Sequence, residues 1–249
     1  MKIRFGALAL MLSLVACQKA ENAPSPQAEA SDANAVALPS LVLTLASDPQ
    51  YGWLAVMRDL YPKEFDQIGE ELQQQVNRGA DPSAAKLSML SIVKPFMDAH
   101  RTAAREASDA ELVAYLRKNT AVAEALLKSD AKACTDVFQG GLDPDTTLPD
   151  TTWRKMSDAT AQLLRTARSA EKMPTTRGDV SLTLEDVQAW HEGMKTIGAG
   201  LDTFEFLNDP ARKAAATLSE KCHVRVQMMQ GALQLPERLS AKITLNLLR

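Results

Sequence analysis

Apolar side chains recur at intervals of three and four residues along most of this chain. Between residues 62 and 78 they form a narrow stripe on an otherwise polar segment, made of Phe65, Ile68, Leu72 and Val76. This spacing is the period of an amphipathic α-helix, and it returns in the long segments downstream. The pattern therefore predicts an all-α protein with a bundle-like domain of about six to nine helices.

Polar residues mark the points where several of these helices begin. Ser108 and Glu111 have the spacing of a capping box, in which the hydroxyl and the carboxylate each accept a hydrogen bond from a free backbone amide. Asp209 before Pro210 is typical of an N-cap followed by proline in the first turn, and it predicts one long helix from Pro210 with an apolar stripe through Leu233. The capping spacing also predicts a helix start after Thr183, and an aspartate before proline predicts another after Asp81.

The most regular apolar stripe runs through residues 187–204 and predicts one buried helix. Gly198 and Gly200 interrupt it, which permits either a bend or a close approach to a neighbouring helix.

Three short segments have a different period. Residues 41–45, 180–184 and 243–247 alternate apolar and polar side chains, as a β-strand does. A minor sheet beside the helices is therefore left open.

The N-terminus carries the most specific pattern in the chain. Lys2 and Arg4 precede an apolar run that ends at Cys17 and is too short to cross a bilayer as a helix. Residues 14–17, with the sequence LVAC, resemble the lipobox of bacterial lipoproteins, which places an aliphatic residue three positions before a cysteine. The resemblance implies a signal peptide at 1–16 and a lipid on the Cys17 thiol. The alternative is an ordinary signal peptide whose cysteine is incidental.

Composition divides the remaining chain into a tether and a domain. Residues 17–37 are rich in Ala, Pro, Ser and acidic side chains without apolar periodicity, which is typical of a flexible tether. Residues 38–249 form the predicted helical domain. A loop rich in Pro, Asp and Thr makes 140–152 the expected place for a hinge or an internal boundary.

The net charge and the expected membrane anchor limit the classes of partner that this protein can bind. The formal net charge is −3 without a basic run, which disfavours nucleic-acid binding. Gln18 follows Cys17, where an aspartate retains lipoproteins in the inner membrane of enteric bacteria. The lipoprotein resemblance therefore implies attachment to the outer membrane, facing the periplasm, with the lipid as the only membrane contact.

Two cysteines remain once Cys17 is lipidated. Cys134 and Cys222 would lie in an oxidising compartment, where disulfides persist, and two thiols allow only one intramolecular pairing. We predict a structural disulfide between them. Two separate buried thiols are the alternative.

No arrangement typical of catalysis or metal binding stands out in the sequence. His191 is followed by Glu192 but lacks the second histidine of a zinc-protease helix. Asp143, Asp145 and Asp150 share a loop that meets only the first spacing of a calcium loop. We therefore predict no catalytic residue, no metal site and no cofactor.

A lipobox, a tether and a helical domain with two cysteines together resemble the architecture of periplasmic immunity lipoproteins. That resemblance implies a non-covalent inhibitor of a secreted antibacterial toxin, and it transfers no binding residue. Two other functions stay open. One is a structural or accessory envelope lipoprotein, and the other is a cell-wall-acting enzyme that uses two carboxylates.

Overall fold

The computed structural model describes residues 39–79, 82–139, 141–142 and 146–248. The predicted signal peptide, Cys17 and the tether lie outside these residues, as do Asp81, Asp143 and Asp145. Residues 37–249 form one compact unit.

The described residues contain twelve α-helices, one 3-10 turn at Pro49–Tyr51 and no strand. The all-α prediction is confirmed. The helices are α1 (Pro39–Ala46), α2 (Trp53–Leu60), α3 (Pro62–Asn77), α4 (Pro82–Ala104), α5 (Asp109–Ser129), α6 (Ala131–Gln139), α7 (Asp150–Lys172), α8 (Leu184–Thr196), α9 (Leu201–Asn208), α10 (Pro210–Ala215), α11 (Leu218–Ala232) and α12 (Glu237–Leu247).

The minor sheet that the alternating segments left open does not form within the described ranges. Residues 41–45 lie in α1 and residues 243–247 in α12, while residues 180–183 are irregular and Leu184 begins α8. Val42 and Leu45 are both buried, three positions apart, as one face of a helix requires. Five residues are too few to separate a period of two from a period of 3.6.

The helix count exceeds six to nine because α1 and α2 precede the first predicted helix and because two predicted helices are divided. Helix α8 ends before Gly198, whose φ of +85° is a left-handed conformation that glycine adopts readily. Leu201 then begins α9 and is 80% exposed, so the prediction of one buried helix through residues 187–204 is wrong. Similarly, the segment after Pro210 is a short α10 followed by a separate α11.

The predicted capping boxes are present at Ser108 and Thr183, and Asp209 caps α10 by accepting a hydrogen bond from the Ala211 amide. A third capping box, Thr217 with Glu220, begins α11. Its Thr-x-x-Glu spacing was readable in the sequence, but the apolar stripe that continues from Pro210 concealed the start.

Helices α5 and α7 form the centre of the fold. Helix α7 packs against α2, α4 and α5, and α5 also contacts α6, α11 and α12. The helices before and after the loop at 140–152 therefore share one packed interior. Its largest fully buried side chains are Leu54, Met57, Leu72, Met89, Leu112, Leu116, Leu126, Leu164, Met194, Ile243 and Leu245.

Candidate functional site

A groove of about 630 Å³ lies beside the loop that joins α7 to α8. We call residues 173–183 the α7–α8 loop. One wall of the groove is this loop, and the other includes α12 and the first turn of α8. Six charged side chains line it: Asp109, Arg177, Asp179, Asp186, Arg238 and Lys242.

Arg177 fixes the α7–α8 loop against the start of α5. Its guanidinium donates hydrogen bonds to the Asp109 carboxylate at 2.8 Å and to the Arg105 carbonyl at 3.2 Å. It also donates to the Ala107 carbonyl, and its side chain is only 16% exposed. Because a guanidinium presents several donors in a rigid plane, one side chain connects three acceptors.

Further hydrogen bonds hold the rest of this loop. The Thr175 amide donates to the Glu106 carbonyl at 2.7 Å, and the Asn246 side-chain amide donates to the Val180 carbonyl at 2.9 Å. Asp179 accepts from the Ser181 amide at 2.8 Å. The loop is therefore irregular in conformation but held at both ends, and binding residues are disproportionately found on loops positioned by a rigid scaffold.

An ion pair joins α12 to the first turn of α8 within one wall of the groove. The Lys242 Nζ lies 2.6 Å from the Asp186 carboxylate, which also accepts the Thr183 amide at 2.9 Å in the α8 capping box. The pKa of Asp186 lies below its ordinary value, first because of the hydrogen bond from Lys242 and then because of the amide of Thr183. Asp186 is thus ionised and engaged at neutral pH.

Two exposed apolar side chains flank the loop. Met173 follows α7 and is 76% exposed, and Leu184 begins α8 and is 70% exposed. A single large apolar side chain exposed to water is common on protein surfaces. Here they stand at the two ends of one held loop whose middle carries charged groups.

Cys134 and Cys222 are brought to disulfide-bonding distance, with their sulfurs 1.91 Å apart and their Cα atoms 5.9 Å apart. Both are buried, and the bond joins α6 to α11. The predicted pairing therefore fits the fold, although the second helix begins at Leu218 and not directly after Pro210.

The histidines occupy unrelated environments. His191 packs against the Phe204 ring, 5.0 Å between centroids. His100 Nδ1 lies 2.7 Å from the Phe96 carbonyl, and its Nε2 lies 3.4 Å from Glu171. Among the described residues, no group of three or more His, Cys, Asp or Glu side chains is arranged to hold a metal ion.

Serine and lysine occur three positions apart on several helices, a spacing also found in some acyl-transfer enzymes. Two of these lysines, Lys94 and Lys132, instead lie 2.5 Å and 2.6 Å from Asp98 and Asp136. Ser129, which precedes Lys132 by three positions, donates to the Ala125 carbonyl. Both lysines therefore form ion pairs with an acid four positions further along the chain, a spacing that stabilises helices.

The groove could not be predicted from the sequence. Arg177 and Asp109 are 68 positions apart and belong to no local motif. Residues 175–181 lack the apolar periodicity of a helix, which predicts a loop. This pattern does not predict which distant residues the loop contacts.

The chain matches no protein-family model, and no curated protein or solved structure is significantly similar to it. Within the described part of the chain, no helix is both long enough and apolar enough to span a membrane.

We expect Arg177→Gln to loosen the α7–α8 loop selectively. The substitution removes the donors for the Arg105 and Ala107 carbonyls and leaves Asp109 without its cation. Hydrogen exchange measured by mass spectrometry should become faster in residues 175–181 and remain unchanged in α2 and α3. Unchanged protection of the loop would show that its other hydrogen bonds are sufficient.

Proposed function

We propose that this protein is a lipid-anchored, periplasm-facing binding protein that neutralises a protein partner, and that it acts as an immunity protein against a secreted antibacterial toxin. The observation that carries the proposal is the fixed α7–α8 loop, with exposed Met173 and Leu184 at its ends and an open charged groove beside it. Protein interfaces combine apolar contacts with polar and charged groups, and this surface offers two exposed apolar side chains beside charged ones.

The hydrogen bonds and ion pairs of the carboxylates in the groove favour a role in protein binding over a role in catalysis. Asp109 accepts from Arg177, and Asp186 accepts from Lys242 and from the Thr183 amide. Asp179 accepts from the Ser181 amide. A glycosidase mechanism needs one carboxyl group that holds a proton and a second that faces the substrate or a water. Carboxylates committed to cations and backbone amides are poorly suited to those roles.

The function is tested by competition between bacteria. Deleting the gene should leave growth unchanged in pure culture and make the cells sensitive to a sibling strain that delivers the toxin. Wild-type protein should restore resistance, and the double variant Met173→Asp with Leu184→Asp should not, because two carboxylates then replace the exposed apolar side chains at the ends of the α7–α8 loop. Leu201→Asp is the control, since Leu201 is 80% exposed but belongs to α9 and not to the ends of the α7–α8 loop.

Two outcomes would replace the proposal. A deletion that weakens the envelope with no rival strain present favours the structural lipoprotein. Cleavage of cell-wall fragments by the purified protein favours the enzyme. If the double variant protects as well as wild type, the partner binds a surface other than the α7–α8 loop.

The anchor gives a separate prediction. The lipobox at residues 14–17 predicts that the protein purified from membranes begins at Cys17 and that this residue carries acyl groups. Intact mass spectrometry measures both, and Cys17→Ala should abolish the modification. Fractionation of the two membranes tests the expected outer-membrane attachment. An unacylated chain that begins elsewhere would contradict the prediction.

A further inference from the structure

A second, smaller pocket lies between α6 and α11, directly over the disulfide. Its volume is about 30 Å³. One or two water molecules would fill that space, so it also suits a single small polar group. The lining residues are Cys134, Thr135, Phe138, Lys221, Cys222 and Arg225.

Two cations face this pocket and no acid does. Lys221 and Arg225 are four positions apart on α11 and therefore share one face of the helix. Among the residues that the structure describes, neither has a carboxylate within ion-pair distance. The Arg225 guanidinium lies 4.8 Å from the centroid of the Phe138 ring, and its side chain is half-buried. This burial partly withdraws the charge from water and so lowers the pKa of Arg225.

The nearby acids are already engaged. The Asp136 carboxylate on α6 lies 2.6 Å from Lys132, and Glu220 on α11 lies 2.5 Å from Arg212. Glu124 on α5 accepts from the Gln230 side chain at 2.8 Å. Each of these carboxylates is thus directed at a group other than Lys221 and Arg225.

We infer that this pocket is a binding site for one oxyanion group, a carboxylate or a phosphate, held between Arg225 and Lys221 beside the Phe138 ring. A half-buried charge without a counter-ion is unfavourable, and a bound oxyanion removes that cost. The planar guanidinium donates two parallel hydrogen bonds to two oxygens, and the ammonium of Lys221 adds a point charge. The volume admits the oxyanion group and leaves the rest of its molecule outside.

The inference does not depend on the proposed function, because the pocket lies on α6 and α11 and the groove is formed by other elements. The oxyanion has two possible sources: a free anion, or an acidic side chain of a protein. Both sources present an oxyanion group to the pocket, and they differ in the atoms that surround this group.

The test uses the full-length protein in detergent micelles and follows the Nε–H resonances of its arginines by NMR. Sodium acetate, sodium phosphate and a capped Gly-Glu-Gly peptide are added at constant ionic strength. The Arg225 resonance should shift in a saturable manner. Arg225→Gln should abolish saturable binding, and Lys221→Gln should weaken it by about tenfold, the effect of one charged hydrogen bond.

Arg117→Gln is the matched control, because Arg117 is an exposed arginine on α5 and should leave the binding curve unchanged. Circular dichroism of each variant checks the fold, and Lys221→Gln keeps the test valid if Arg225→Gln unfolds. Tighter binding of the peptide than of acetate identifies a protein side chain as the source, and tighter binding of phosphate identifies a phosphate group. The inference is overturned if no probe shifts Arg225 saturably, or if the two pocket variants bind as wild type does.

Discussion

Replacing Cys134 and Cys222 by alanine is expected to lower the free energy of unfolding by about 2–4 kcal/mol. The two residues are 88 positions apart, so the bond restricts a long loop in the unfolded chain. It also joins α6 to α11 inside a buried cluster that includes Leu126 and Ala159. Urea denaturation followed by circular dichroism measures the change, and the helical signal of the folded state should persist.

A double-mutant cycle separates the bond from the packing of its sulfurs. The bond is lost in either single variant and in the double variant, so all three should be destabilised by similar amounts. Two independent thiols would instead give costs that add. A reducing agent should destabilise the wild type and have no effect on the double variant. Additive costs together with two free thiols in the denatured, unreduced protein would contradict the disulfide.

Replacing Gly231 by alanine is expected to destabilise the protein by about 1–3 kcal/mol. Helices α8 and α11 meet through two glycines, and a Cβ atom added at Gly231 would lie 2.9 Å from the Met194 backbone nitrogen. A Cβ added at Gly193 would lie 2.5 Å from the Gly231 carbonyl oxygen. Alanine gains about 1 kcal/mol in helix propensity over glycine, but that gain is smaller than the cost of moving one helix backbone away from another.

Gly200→Ala provides the control for this prediction. Gly200 has a φ of −92°, which alanine adopts without strain, and an added Cβ atom would meet nothing within 4 Å. Its stability should differ from wild type by no more than about 0.5 kcal/mol. If Gly231→Ala is as stable as Gly200→Ala in the same denaturation experiment, the close approach of α8 and α11 is wrong.

The glycine contact between α8 and α11 also shows a packing feature that the local sequence pattern does not predict. The sequence directed attention to Gly198 and Gly200, because they interrupt an apolar stripe. Gly198 does end α8, but the glycines at the helix contact are Gly193 and Gly231. A glycine required by close packing has no local signature, since the atom that excludes a side chain belongs to a different helix.

The sequence by itself determined the helical class, the capping boxes at Ser108 and Thr183, and which two cysteines could pair. Helical period and capping depend on residues within a few positions of each other, and two thiols leave one pairing. Tertiary structure alone decided which helices cover one another, that Arg177 reaches Asp109, and that Arg225 has no carboxylate beside it among the described residues. Periodicity shows which face of a helix is apolar, but the partner of that face is set by the packing of distant segments.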